Sequence, residues 1–282
     1  MAKLPQSPAD LVIRPRDIAF GRTERHARWW LNGDPVATHF ANAMSMTFPQ
    51  GERFFMDAVR HYRDAVPDEM KPQVAAFLTQ EAIHSREHLA FNRQVSDNGY
   101  DISVIDYEVK RRLDLTRRLP PAVQLSVTIA LEHFTAIMAH QLLGDPVYMA
   151  GASPEAARMW RWHGMEELEH KAVAYDTYMH AMGRIGPVRR WLLRSLIMFI
   201  MTFLFFGLMF KITGLLYKQD GINTPKTWWK TLKYMFGHPG IFRRVAGPYF
   251  RYYRPGFHPW QEDDRRLLSA AQAEFDEGHA VA

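Results

Sequence analysis

From residue 39 onward, apolar side chains recur at spacings of three and four in nearly every segment, while the Val, Ile and Thr alternation that marks a strand is almost absent. The pattern predicts an all-α protein. A first long helix is expected over residues 39–65, with Pro49 kinking or restarting it just before Gly51 and Glu52. A second starts at Asp68 and Pro72, runs to about Ser96 and stops before Asn98 and Gly99. A connecting helix follows over residues 103–119. Pro120 and Pro121 open a third core helix that ends at Gly144, Asp145 and Pro146, and Ser153 and Pro154 supply the N-cap and first turn of a fourth, which closes at Gly183 and Gly186. Four long helices with one extra helix between the second and third make a bundle with a long crossover.

Around this bundle, residues 39–186, the chain divides by composition. Residues 1–38, rich in Pro and Arg, are expected as an extended arm with a short helix near Trp29 and Trp30. An apolar helical segment occupies 187–218 and a basic, aromatic helical tail 219–282, closing from Gln261 in a short charged helix with a loose end.

One segment of the fourth helix breaks the expected separation of polar and apolar faces. "HGMEELEHKAVAYD", residues 163–176, carries His163, Glu166, Glu167, Glu169 and His170. At about 100° per residue, with His163 as origin, Glu167 lies at about 40°, His170 at about −20°, Glu166 at about −60° and Glu169 at about −120°. His163, Glu167 and His170 therefore form one narrow stripe, flanked by Trp160, Ala174 and Met159, which points it inward. Buried unpaired charge is very costly, and metal coordination is one of the few ways to offset it; a solvated stripe is the alternative.

Composition narrows the chemistry. The 282 residues are 47% hydrophobic, enough for a substantial core, and contain no cysteine, which excludes disulfides, iron–sulfur clusters and thiolate zinc sites and leaves carboxylate and imidazole as ligands. The net charge of +5 suits an acidic partner. Lys and Arg are not gathered into a nucleic-acid-like block, and membrane phosphates fit at least as well. The N-terminus lacks the apolar core and cleavage site of a signal peptide, and a cytoplasmic location is expected.

The remaining helices supply partners for the stripe. "QEAIHSREHLAF" places Glu81 and His84 at i and i+3, with His88 a turn further on; Glu52 and Glu132 are lone acids in apolar settings on the first and third helices. One Glu from each of two helices, with Glu-x-x-His from each of the other two, is the ligand set of a dinuclear carboxylate site inside a four-helix bundle.

With these residues the chain resembles the ferritin-like di-iron carboxylate proteins over roughly residues 40–183. His163, four residues before the second Glu-x-x-His, is similar to the extra histidine of the p-aminobenzoate N-oxygenase type. That resemblance implies that Glu52 and His84 serve one iron, that Glu132, His163 and His170 serve the other, and that Glu81 and Glu167 bridge them, manganese or a mixed pair being the alternative. The wording "LEHFTA" and "EELEHKAVAYD", with the apolar segment that follows, also resembles a bacterial family catalogued as predicted metal-dependent hydrolases. His88 lies about 10 Å along the axis from Glu81 at 1.5 Å per residue, so it is expected to support a ligand rather than to be one. His133 and His140 are expected as bystanders. Glu166 and Glu169 are expected to support the site or pair with Arg158 or Arg161, and Asp176 either to hydrogen-bond a liganding imidazole or to form an ordinary salt bridge.

The run SLIMFIMTFLFFGLMF, sixteen uncharged residues between Arg194 and Lys211, is short of the about 20 that span a bilayer, although ITGLLY extends it past Lys211. Arg189, Arg190 and Arg194 precede it, and Lys218, Lys226, Lys230 and Lys233 follow, so the flanks give no orientation. The expectation is attachment to the inner face of a membrane without spanning it, with burial in a homodimer or in the core as the alternative. The functional expectation is a di-iron oxygenase or oxidase using dioxygen, an electron donor and an apolar, lipid-like substrate. A dinuclear metal-dependent hydrolase is the alternative, and a non-catalytic, iron-binding membrane protein the third reading.

Overall fold

The computed structural model describes residues 7–8, 10–21 and 25–276. Among them no strand occurs, and the isolated pairing of Leu31 with Ala152 is the one extended contact found. The all-α expectation holds as a packed helical bundle.

Helix α1 (Pro35–His61) begins where the Asp34 carboxylate accepts the Val36 amide at 2.8 Å, with Pro35 in the first turn. It runs through Pro49, so of the two expected outcomes, a kink or a restart, the restart does not occur. Pro49 has no N–H for the carbonyl of Ser45. A neighbouring helix, α2 (Lys71–Asp97), replaces that donor: Asn92 Nδ2 lies 3.2 Å from the Ser45 carbonyl oxygen. α3 (Ser103–Thr116) is the crossover helix and α4 (Pro121–Gly144) the third core helix.

The fourth core helix is two pieces, α5 (Pro154–His170) and α6 (Val173–Ala181). The interruption falls at Lys171, 4% exposed, whose ammonium reaches Asp264 at 2.5 Å and the Glu262 carbonyl at 2.8 Å over the Trp260 ring. A buried ammonium must be paired, and the C-terminal tail supplies the partners. Ser153 does not cap α5 with its side chain; its hydroxyl instead meets His26 Nδ1 at 2.9 Å.

No helix forms at Trp29 and Trp30. The backbone there is committed elsewhere: Asn32 N donates to Gly151 O and Ser153 N to Trp30 O, and Asn32 and Gly33 take positive φ of 53° and 65°. The Trp30 indole bonds Asn42 on α1, which fixes the arm to the bundle.

The apolar run belongs to α7 (Pro187–Gln219), an unbroken helix of 33 residues and about 50 Å at 1.5 Å per residue. Both α4 and α7 are long and apolar enough to cross a membrane, but 67% of the apolar window of α4 is buried against 28% for α7. α4 is a core helix. α7 packs one face on α4 and α1 through Met198, Met209, Ile212 and Leu216, and leaves Leu192, Leu196, Phe199, Ile200 and Phe203 exposed. Its far end is clasped by Asp220, whose carboxylate accepts from Arg28, Trp29, Tyr100 and His39 at 2.6–2.9 Å. The tail continues as α8 (Pro225–Leu232), α9 (Ile241–Arg251) and α10 (Arg265–Asp276), the last packed on α5. The loose end expected after it lies outside the described residues.

Candidate metal centre

Four helices aim carboxylates and imidazoles at one interior point. α1 contributes Glu52, α2 Glu81 and His84, α4 Glu132, and α5 His163, Glu167 and His170, all buried. On α2 and α5 the i, i+3 spacing alone puts the Glu and His on one face. α5 can approach α4 closely because residue 164 is glycine: a Cβ there would stand 3.3 Å from Leu142 and 3.6 Å from Ala139.

Donor atoms from these residues fall into groups within 4.8 Å: Glu52 with Glu81 and His84, Glu81 with Glu132 and His170, and His84 with His163 and Glu167. Glu81 is common to the first two groups and His84 to the first and third. His163 sits with His84, their rings stacked at 4.3 Å, and not beside Glu132 as the resemblance implied. A fourth group, Glu52 with His88 and His163, uses an imidazole whose two nitrogens are already committed, as shown below.

The residues fit a metal by a test internal to the structure. Glu52 Oε1, both oxygens of Glu81 and Glu132, His84 Nδ1, His163 Nε2, Glu167 Oε2 and His170 Nε2 are buried and lack hydrogen-bond partners. So many orphaned polar atoms in one place are not tolerable in a finished core. His163 Nε2 lies 3.0 Å from Glu167 and His170 Nε2 3.1 Å from Glu81, but without the alignment of a hydrogen bond. Two divalent cations would balance the four carboxylates and leave the three imidazoles neutral.

Each imidazole keeps one nitrogen for the centre and ties the other down. His84 Nε2 lies 3.0 Å from Glu166, His170 Nδ1 3.0 Å from Gln80 Oε1, and His163 Nδ1 2.7 Å from His88 Nε2. His88 Nδ1 in turn meets Ser45 Oγ at 2.8 Å, and that hydroxyl donates to Asn92 Oδ1 at 2.7 Å. With His163 Nε2 reserved for a cation, its proton sits on Nδ1 and the line runs in one direction, His163 to His88 to Ser45 to Asn92. Ser85 donates to Glu52 Oε2 at 2.8 Å, which leaves Oε1 for the centre.

The outer layer comes from the N-terminal arm. The Arg16 amide donates to Glu166 at 3.0 Å, its guanidinium to Glu169 at 2.9 Å, and Gln80 Nε2 to Glu169 at 2.8 Å. Glu166 and Glu169 thus pair with Arg16, not with Arg158 or Arg161; Arg161 binds Glu274. Asp176 accepts from His258 Nε2 and from the Ser7 hydroxyl, neither of which belongs to the centre, so the expected bond to one of its imidazoles is not made. His133 bonds the Pro248 carbonyl and His140 pairs with Asp264, both outside the cluster. Sequence reasoning missed Arg16, Gln80, Ser45, Ser85 and Asn92; none carries a local signature, because each acts on a residue of another segment.

Charge in the centre is arranged by burial. Desolvation, with Glu81 and Glu167 nearby, holds the carboxyls of Glu52 and Glu132 well above the usual range. Burial opposes ionisation of Glu167 and His170 too, but their mutual attraction wins, holding Glu167 well below and His170 well above their ordinary values. Burial, offset by Arg16, pushes Glu166 up to about 7.

An apolar pocket of about 90 Å³ reaches His163 and Glu167, walled by Met44, Phe48, Met138 and Trp160. Phe48 stacks on His163 at 4.8 Å.

Fold and centre define an all-α bundle whose buried histidine and glutamate side chains could hold a metal. The chain belongs to the family described as predicted metal-dependent hydrolase, whose model matches residues 14–263. No curated protein and no solved structure matches it.

Proposed function

We propose that this protein is a hydrolase working at a dinuclear metal centre held by Glu52, Glu81, His84, Glu132, His163, Glu167 and His170, on a substrate with an apolar chain. The observation that carries this reading is the set of buried, unpartnered carboxylate and imidazole atoms converging from four helices, in a member of a family described as predicted metal-dependent hydrolases. Bound divalent ions would supply Lewis acidity and an activated water. The protein's own part is to hold Glu81 between the two groups of ligands, to fix the imidazoles through Glu166, Gln80 and His88, and to exclude bulk water with Phe48, Met138 and Trp160.

A second reading is oxygen activation at two irons, with an electron donor. Its support is the pocket: among the described residues no Lys, Arg or Asp lines it, so it offers no cation, and no carboxylic acid besides Glu167, for a hydrolytic leaving group. The all-nitrogen-and-oxygen donor set also suits iron. One preparation separates the two. Protein of measured metal content should cleave medium-chain esters, amides or phosphodiesters, with activity lost on chelation. Absence of all three activities, with dioxygen consumed by the ferrous-loaded protein, would replace hydrolysis by the oxidative reading; fewer than two metals per chain would remove the dinuclear centre.

A further inference from the structure

A second, larger cavity lies on the far side of Phe48. It encloses about 360 Å³ between α1, α3, α4 and α7, a size typical of small-molecule sites. Met44, Phe48, Thr135 and Met138 line both this cavity and the pocket at His163, so a single layer of side chains separates them. The inner walls, Val127, Leu131 and Phe134, are apolar. The outer end is marked by Leu115 and Leu204, both 49% exposed.

Charge at that outer end is uneven. Arg111 and Arg112 of α3 border the cavity. Glu108, the carboxylate nearest them, is already engaged by Lys211 at 2.9 Å and Arg111 at 3.4 Å, with Arg112 at 4.0 Å. Three cations therefore share one anion. Arg112 Nε is buried and has no hydrogen-bond partner, a donor left over at the rim of an apolar chamber. A guanidinium in that state is matched by a carboxylate.

We infer that this cavity binds a single-chain carboxylate amphiphile of the fatty-acid type. Its head rests on Arg112 and its alkyl chain lies along Leu131 and Phe134 toward Phe48, which turns the tail to the metal centre. An alkyl tail carries no hydrolysable bond, so a catalytic meaning of the site rests on the oxidative reading, whereas its occupancy rests on neither reading, since binding is read without turnover.

The test is calorimetric titration of the full chain, metal content measured beforehand, with dodecanoate and with dodecanol, each below its micelle concentration. Dodecanoate should saturate at one per chain, and Arg112→Gln should weaken it about tenfold or more, the loss of a charge-assisted hydrogen bond, while leaving dodecanol unchanged. Leu131→Trp should abolish binding of both by filling the chamber; if it does not fold by circular dichroism, Leu131→Phe takes its place. Equal affinity for acid and alcohol, indifference to the filled chamber, or uptake of many equivalents would each overturn the inference. Binding without any hydrolysis or dioxygen consumption would leave it standing and remove the proposed function; hydrolysis without this binding would do the reverse.

Discussion

His88 stands between His163 and Ser45, 2.7 Å from the imidazole on one side and 2.8 Å from the hydroxyl on the other, with both ring nitrogens engaged. It orients His163 through a line that ends at Asn92, the same side chain that bonds the carbonyl freed by Pro49. The proline in α1 and the orientation of His163 are thereby linked. His88→Phe keeps the packing and removes the bond. Metal affinity should fall about 10–100-fold, the usual cost of losing such a partner, while circular dichroism stays unchanged; undiminished affinity in a metal-competition titration would make His88 a packing residue only.

Arg16 is the cation for two buried carboxylates, Glu166 and Glu169. Arg16→Met should cost about 3–5 kcal/mol in denaturant unfolding, because it leaves buried charge uncompensated. Arg161→Ala, which breaks a half-exposed pair with Glu274, should cost about 0–1 kcal/mol. Equal losses from the two would mean that the arm contributes little to the centre's support.

Metal uptake should release protons. In the metal-free protein the carboxyls of Glu52 and Glu132 hold their protons to higher pH than usual because they are buried among other acids. A cation binds only their deprotonated forms, so affinity should rise with pH and fall as pH drops through their raised range. The sign for folding is opposite in the metal-free state: groups raised above their unfolded values favour the fold at low pH, and that contribution is lost as pH rises through the folded values. Titration in two buffers of different ionisation enthalpy counts the protons; uptake without release would show that the carboxyls are already ionised.

The outward face of α7, with Leu192, Leu196, Phe199, Ile200 and Phe203 exposed and Arg189 near its start, should meet lipid. Its other face is held by the bundle and its end by Asp220, which makes a lone span surrounded by lipid a poor fit. Much of the protein should pellet with membranes and be released by detergent. Replacing Phe199 and Phe203 by Ser should move it to the soluble fraction with its fold intact. Protease outside intact spheroplasts should leave the tail uncut. A soluble, lipid-free dimer obtained without detergent would assign this face to a second chain instead.

Whatever depends on spacing within one helix was legible in the sequence. The three-and-four apolar pattern gave the bundle helices, and Glu81 with His84, and Glu167 with His170, were placed on common faces because helical geometry is local. Relations across segments were not legible. The Arg16 pairs span 150 residues or more, His163 could be set beside His84 only by the way α5 packs against its neighbours, and α5 ends at His170 where Lys171 turns to partners on the tail. Pro49 announced a kink or a restart because its own chemistry removes a donor; the helix does not restart, and Asn92, 43 residues further on, stands where that donor is missing. Local periodicity fixed which atoms could face inward, and packing in three dimensions decided which partners they met.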